Sequence, residues 1–288
     1  MASLIDTRRR LRSVKNTQQI TKAMKLVAAA RLRRSQDRVI AARPYASALR
    51  DVLSSVAARA GEVEHPLLSE RVEKRILLLV VAGDKGLCGA FNANIHRAVQ
   101  TLLARETRWE AVTILPVGKK ALDYWKRRKT PLAPKAYPGI FSRVTYELAR
   151  EISGGLAEAF GTAQIDAVYA VYNEFKSVIT QIVRTERILP ISRGPAPDTA
   201  ASPSEYIFEP EAETILASLL PRCLEFAIFR ILLESAAAEH GARMTAMDAA
   251  SRNAGDMIDS LTLAYNRARQ ARITKELIEI VSGAAALE

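Results

Sequence analysis

The sequence lacks most of the features that mark a catalytic, metal-binding or membrane-spanning chain. Its two cysteines, Cys88 and Cys223, lie far apart without a CxxC spacing, which argues against a zinc site or a disulfide framework. The three histidines show no ligand spacing, and the longest apolar run, residues 76–82, is far too short to cross a bilayer. No Ser/His/Asp set or pair of pocket carboxylates is recognisable. We therefore predict no catalytic residue, no metal site and no bound cofactor.

Helix-breaking residues are scarce at both ends of the chain. Proline is absent from residues 222–288, and an unbroken helix over this stretch would be roughly 100 Å long at about 1.5 Å per residue. Its seam alternates steps of three and four, as in a left-handed coiled coil. The predicted seam residues are Met244, Met247, Ser251, Ala254, Ile258, Leu261, Tyr265 and Ala268. Such a helix needs a partner along its length.

The first sixty residues supply that partner. They contain no glycine, and the same alternation runs through Leu32, Ser35, Val39, Ala42, Ala46, Leu49, Leu53, Val56 and Ala60. Nearer the N-terminus, the apolar face is predicted to shift to Leu11, Val14, Ile20, Met24 and Val27. Because the two helices flank a compact block, we predict that they form an antiparallel two-helix coiled coil projecting from it.

All the excess positive charge of the chain lies on the first helix. Residues 1–60 hold 14 Lys and Arg against 3 Asp, whereas the remaining residues hold 28 basic and 28 acidic side chains. A solvated helix face explains part of this, but so one-sided a face usually meets an acidic partner. Nucleic acid, anionic lipid and an acidic protein loop are the candidates.

The block between the helices alternates strands with helices. Residues 75–82 are a continuous apolar run, typical of a strand buried on both faces, and 111–117, 166–172 and 177–188 are further strands. This order predicts an α/β class with a mostly parallel, Rossmann-like sheet that ends in an antiparallel edge hairpin. The predicted domains are 1–60 (N-terminal coiled-coil helix), 74–191 (central Rossmann-like domain) and 209–288 (C-terminal coiled-coil helix).

A glycine-rich loop follows the first strand. Gly83, Gly86 and Gly89 stand where doubly wound folds bind nucleotide phosphates. Their spacing matches neither G-x-G-x-x-G nor G-x-x-x-x-G-K-[ST], and no acid ends a second strand. Tight turns that pack a helix onto the sheet are the favoured interpretation, with nucleotide binding as the alternative.

The two helices resemble those of the gamma subunit of F-type ATP synthase. The matching stretches are residues 20–29 (ITKAMKLVAA), 35–38 (SQDR), 43–45 (RPY), 239–248 (EHGARMTAMD), 253–255 (NAG) and 261–286. The loop 83–89 (GDKGLCG) is also similar to that family's first loop in its central domain. The resemblance covers the whole chain. No regulatory insertion with a cysteine pair is present, which favours a bacterial-type subunit.

The resemblance implies a non-catalytic central-stalk rotor. Its coiled coil would turn inside a hexamer of three alpha and three beta subunits, and its globular foot would stand on the c ring beside the epsilon subunit. The chain would be present in one copy per complex, coupling proton flow to ATP synthesis. It would be peripheral to the membrane, on the cytoplasmic face of the bacterial plasma membrane.

The resemblance also implies partner contacts at particular residues. Met24, with Lys22 and Lys25, matches the part of the shaft that meets the beta-subunit lever. Arg269 and Gln270 match the part held by a beta-subunit catch. The segment that matches the c-ring contact is predicted to act through Tyr206, Phe208, Glu209 and Glu211.

Two functions from other classes remain alternatives. A basic coiled coil could bind RNA, although Tyr45 is the only aromatic residue on the basic helix and base stacking would be poorly served. A nucleotide-binding enzyme could be built on the central sheet, although its glycine loop departs from the known phosphate-binding patterns.

Overall fold

The computed structural model describes residues 4–59, 65–192 and 212–285. Two long helices, α1 (Leu4–Arg59) and α5 (Ala212–Ala285), flank the central segment in sequence. The elements between them, in chain order, are β1 (Arg75–Val81), α2 (Phe91–Arg105), β2 (Ala111–Val117), α3 (Lys119–Arg127), α4 (Tyr146–Gly161), β3 (Ala167–Phe175) and β4 (Gln181–Leu189). Short 3₁₀ turns lie at Pro66–Leu68 and Ile140–Ser142. Both long helices contain a proline, Pro44 and Pro221 respectively.

The four strands form one sheet in the order β2-β1-β3-β4. β1 pairs in parallel with both β2 and β3, and β4 pairs antiparallel with β3. β1 is buried from Ile76 to Val81, as its unbroken apolar run predicts for a central strand. The predicted mostly parallel sheet with an antiparallel edge hairpin is therefore confirmed. Compared with the prediction, the β3–β4 turn lies later in the chain, at residues 176–180.

One carboxylate links β1 to β3 at the amino-terminal ends of these two strands. Asp166 accepts hydrogen bonds from the Arg75 backbone N–H at 2.7 Å and from Arg75 Nη2 at 2.7 Å. The side-chain hydrogen bond from Arg75 holds the pKa of Asp166 below its usual range. Since Asp166 immediately precedes β3, this contact fixes the register in which β3 meets β1.

The chain divides into two compact units: residues 1–28 with 244–288, and residues 29–243. In the first unit α1 and α5 run antiparallel, because Gln18 donates to the Ser251 carbonyl and the later Lys25 contacts the earlier Asp248. On α5, every predicted seam residue from Met244 to Tyr265 is at least half-buried. These observations confirm the predicted antiparallel pairing within this unit.

The predicted apolar face at the start of α1 is confirmed at Leu11, Val14 and Met24, which are half-buried, and is wrong at Ile20 and Val27. Ile20 and Val27 are 59% and 53% exposed, whereas Gln18, Thr21 and Lys25 occupy the seam. The three-four alternation continues without a break from Leu32 back to Leu4, so the backbone register presents these polar residues to α5. Ala268, the last predicted seam residue of α5, is exposed as well.

In the second unit α5 lies in the core. All residues from 231 to 242 are buried, as expected for a helix that is covered on every side. Arg230 forms two hydrogen bonds to the Glu186 carboxylate on β4, at 2.7 and 2.8 Å, and a third to the Tyr172 hydroxyl on β3 at 3.0 Å. In this unit α1 packs beside α5, with Tyr45 and Phe226 in ring contact. The core therefore holds α5 against the sheet.

Candidate functional site

The loop after β1 is linked to the neighbouring loops by one carboxylate. Asp84 points its carboxylate at three backbone amides, accepting from Lys119 at 2.9 Å, Gly139 at 2.6 Å and Phe141 at 2.9 Å. Lys119 is the first residue of α3, where the helix dipole and free amides would otherwise attract an anion. A side chain of the protein thus occupies the position that a phosphate would take at this helix.

The two neighbouring loops at this edge are also pressed together. Gly118 has φ of 90°, and a Cβ there would lie 1.8 Å from the Ala82 carbonyl oxygen. The Lys120 amide donates to the Gly83 carbonyl at 3.0 Å. The carboxyl-terminal edge of the sheet is therefore closed by its own backbone at β1 and β2. This geometry supports the packing interpretation of the glycine loop over the nucleotide-binding one.

Within residues 4–59, 65–192 and 212–285, no group of three or more His, Cys, Asp or Glu side chains is arranged to hold a metal ion. No helix in those ranges has a stretch long and apolar enough to cross a membrane. Cys88 is buried and Cys223 half-buried, and burial raises the pKa of both thiols, that of Cys223 to about 11.

The predicted lever contact on α1 is split between two sides of the helix. At about 100° per residue, Met24 and Lys22 point about 160° apart. Lys22 is exposed, and Met24 is half-buried at the border of an exposed apolar stripe with Ile20 and Val27. A single approaching segment can meet Met24 or Lys22, but not both. An exposed apolar stripe on a shaft is typical of an interaction surface.

Lys25 is engaged within the chain. Its Nζ lies 2.5 Å from Asp248 Oδ1, and the other oxygen of Asp248 is 3.3 Å from Arg252 Nη1. The hydrogen bond from Lys25 holds the pKa of Asp248 below its usual range. Lys25 is thus a seam residue that joins α1 to α5 at the level of Met24.

The last turns of α5 present a second surface. Every residue from 266 to 283 is exposed, Arg269 and Gln270 among them. Ile273, Leu277, Ile280 and Val281 follow each other at steps of four, three and one, which places them on one face of the helix. Arg269 and Gln270 stand four and three residues before Ile273, at the start of this face. The surface lacks a covering partner among the described residues.

The predicted c-ring contacts fall on a different part of the chain. Tyr206, Phe208, Glu209 and Glu211 lie outside the described residues.

Sequence reasoning missed three polar features. Asp84 stands directly after the first loop glycine, but its targets lie 35 to 57 residues away in the chain. The Glu239–Arg243 pair has the i,i+4 spacing of a helical ion pair, a signal that was available. The polar seam positions of α1 could have been found by extending the three-four alternation backwards, regardless of residue type.

Comparison with known proteins places the chain in a family. The ATP synthase family model matches residues 3–287. The chain is 53% identical to the ATP synthase gamma chain of Solibacter usitatus and 48% identical to that of Pelotomaculum thermopropionicum, each over the full length of both proteins.

Solved structures agree with this family. A chain from the central stalk and c ring of the Tetrahymena thermophila mitochondrial ATP synthase is 27% identical, with a TM-score of 0.60 over 81% of this chain and 99% of that one. A chain of the Euglena gracilis mitochondrial enzyme shares the fold, at 19% identity and a TM-score of 0.69 over 99% of this chain and 94% of that one.

Two long helices with exposed apolar stripes, and an α/β sheet between them in the sequence, define a helical stalk protein whose function lies in its surfaces. The chain belongs to the family of ATP synthase gamma chains. It is a non-catalytic subunit, and the RNA-binding alternative finds no support in these relatives.

Proposed function

We propose that this chain is the central-stalk rotor of a proton-translocating ATP synthase, present in one copy per complex. It couples proton flow through the c ring to ATP synthesis at the hexamer of three alpha and three beta subunits, with the epsilon subunit beside its central domain. The observation that supports this most directly is the bare end of α5. A helix that is exposed at all eighteen positions from 266 to 283, with an apolar stripe among them, requires a surrounding protein.

In our proposal, the hexamer of alpha and beta subunits surrounds this end of α5. Arg269 and Gln270 lie at the N-terminal end of the apolar stripe, where a beta-subunit catch would hold the shaft. The stripe residues would turn against apolar walls, while the charges of Arg272 and Lys275 are paired within the helix, with Glu276 and Glu279.

The beta-subunit lever is proposed to meet α1 at the level of residues 20–27. Met24 offers an apolar contact at the edge of its stripe, and Lys22 offers a cation on the opposite flank of the seam. Because the two flanks face apart, different beta subunits would contact them at one moment. Lys25 contacts Asp248 on α5, and its side chain, 40% exposed, is the second cation that the lever would meet.

The foot is proposed to lie on the c ring through Tyr206, Phe208, Glu209 and Glu211. The subunit would then be peripheral to the membrane, on the cytoplasmic face of a bacterial plasma membrane. The bacterial relatives at about half identity favour this setting.

Single-molecule rotation tests the proposal. Ile179, 84% exposed in the β3–β4 turn, is replaced by cysteine and labelled with a probe, while the hexamer is fixed to a surface. Cys88 is buried and Cys223 half-buried, and burial raises the pKa of both thiols, so the exposed new thiol should react with the label first. ATP should drive stepwise rotation of the probe in one direction. A complex that assembles and hydrolyses ATP while the probe stays fixed would refute the rotor assignment.

A further inference from the structure

The glycine loop after β1 has no role in the proposed rotor function so far. We propose that residues 83–92 form a clamp that fixes the rotational setting of α5 against the sheet, and so carries torque between the shaft helix and the central domain. This inference rests on the proposed rotor function. Glu239, Arg243 and Gly83 are its positioning residues.

The stretch of α5 that passes the loop has few side chains able to hold a rotational setting. Residues 235–242 read SAAAEHGA, so only Glu239 and His240 are larger than serine. All of them are buried. A smooth, alanine-rich helix face packs closely but resists rotation about its own axis weakly, because it inserts no large side chains into neighbouring grooves. The orientation of α5 at this level must come from the polar side chains.

Glu239 supplies that fixed point. Its side chain is 3% exposed, and Oε1 accepts a hydrogen bond from Arg243 Nη2 at 2.7 Å. Arg243 Nη2 also approaches the Gly86 carbonyl at 3.4 Å. Removing one partner of a buried charge pair leaves the other uncompensated, so the pair holds its geometry firmly. Both carboxylate and guanidinium are thereby held against the glycine loop.

The loop leaves no room for Glu239 to move towards it. A Cβ on Gly83 would lie 2.7 Å from Glu239 Oε1, the same atom that Arg243 holds. The Gly83 amide donates to Asn92 Oδ1 at 2.8 Å, and Asn92 Nδ2 donates to the Lys85 carbonyl at 3.3 Å. Gly83 is therefore glycine because the α5 carboxylate rests on it, and the loop is braced from behind by Asn92.

The clamp continues into the rest of the central domain. Asp84, next to Gly83, accepts hydrogen bonds from the backbone amides of Lys119, Gly139 and Phe141. A force on Glu239 is thus passed through the loop backbone to the start of α3 and to the 139–141 turn. Arg230 lies nine residues before Glu239 on α5 and pairs with Glu186 on β4, so the helix is held at two levels. Two polar contacts at different heights resist rotation and tilting together.

Two alanine substitutions in the same loop test the clamp. Gly83→Ala places a methyl group against Glu239, whereas Gly86→Ala keeps the backbone carbonyl that Arg243 contacts, and its Cβ meets no atom within 4 Å. The labelled complex with cysteine at position 179 is held with the hexamer stalled by a non-hydrolysable nucleotide, and the thermal angular variance of the probe is recorded. We expect a larger variance for Gly83→Ala than for the parent, and no change for Gly86→Ala.

A third variant tests the charge itself. Glu239→Gln keeps the shape of the side chain, and charge-assisted hydrogen bonds are roughly twice as strong as neutral ones, so the variance should rise by up to about twofold. Glu239→Asp in the Gly83→Ala background withdraws the carboxylate from the added methyl group and should return part of the lost stiffness.

The outcomes separate the clamp from the rotor assignment. Rotation by all variants together with a higher variance for Gly83→Ala and Glu239→Gln supports the clamp. Normal variance for both, in complexes that rotate, refutes the clamp and leaves the rotor function intact. Equal variance increases for Gly83→Ala and Gly86→Ala would also refute it, because the effect would then belong to the loop and not to the contact with α5.

Discussion

Residues 231–242 and residues 266–283 belong to the same helix, yet the first stretch is buried on every face and the second is exposed on every face. Between them, residues 252–265 alternate between a covered seam, which faces α1, and an open surface. One helix therefore passes from a domain core, through a two-helix pairing, to a bare end.

The comparison shows that helix formation and burial are separate properties in this chain. α5 is continuous because it contains little proline and many good helix formers, whereas the elements that pack against it determine which of its faces are buried. Apolar residues are abundant in both 231–242 and 266–283, but those in 266–283 are exposed to solvent. Such an end is useful to a shaft that must turn inside other subunits.

The largest effect is expected from removing the partner of the middle stretch. Deletion of residues 1–28 leaves the second compact unit complete but strips α1 from residues 244–265. We expect the amide protection of 247–258 to collapse, because a lone helix is marginal in water, while 231–242 stays protected. Hydrogen exchange measured by mass spectrometry checks both segments in one sample. Retained protection of 247–258 in a monomer would show that the pairing is dispensable.

The second-largest effect is expected when a leucine is truncated in the buried stretch, in comparison with a leucine in the exposed stretch. Leu232 is fully buried and Leu277 is 57% exposed. Leu232→Ala should lower the free energy of unfolding of the isolated chain by about 2–5 kcal/mol, the usual range for a buried leucine. Leu277→Ala should change it by less than about 0.5 kcal/mol. Urea unfolding gives both values. Similar losses for the two variants would contradict the assigned burial.

Acid should affect both units in the same direction. Asp166 in the second unit and Asp248 in the first have pKa values below the ordinary range, through hydrogen bonds from Arg75 and Lys25. Each therefore stabilises the fold above its ordinary pKa, and this stabilisation is lost as the pH falls through its folded-state value.

Variants separate the two carboxylates. Asp166→Asn should weaken the chain at pH 7 more than Asp248→Asn, because the Asp166 side chain is buried and that of Asp248 is 31% exposed. Each variant should also flatten the acid side of the stability profile, as followed by circular dichroism between pH 7 and pH 3. A profile that keeps its full acid slope in the double variant would place the titrating group elsewhere.

The smallest change in stability is expected at Met24, where the effect lies in coupling. Met24→Leu keeps an apolar contact and should be mild. Met24→Lys adds a cation beside a shaft that is already basic, and should over-stabilise one angular position against an acidic lever. Proton pumping per ATP hydrolysed should therefore fall in reconstituted vesicles, with assembly intact. Pumping equal to that of Met24→Leu would remove Met24 from the torque path.

Sequence reasoning predicted the elements better than the contacts between them. The bounds of β2 were predicted to the residue, since a short apolar run between polar turns is a local signal. The seam of α5 from Met244 to Tyr265 was also predicted, because its spacing is regular. The outward position of Ile20 was missed, because apolar character suggested burial while the helical phase set by α1 as a whole turned it away from α5.

By itself, the sequence determined two long helices, an α/β block between them, the basic charge of the first helix and the likeness to ATP synthase gamma chains. These follow from periodicity, composition and motifs that are read along one stretch of chain. Only the tertiary structure decided that Asp84 fills the phosphate position at α3, that Lys25 faces Asp248, and that Gly83 supports Glu239. Each of these contacts joins residues more than thirty positions apart, and nothing in local sequence specifies which distant group a polar side chain will meet.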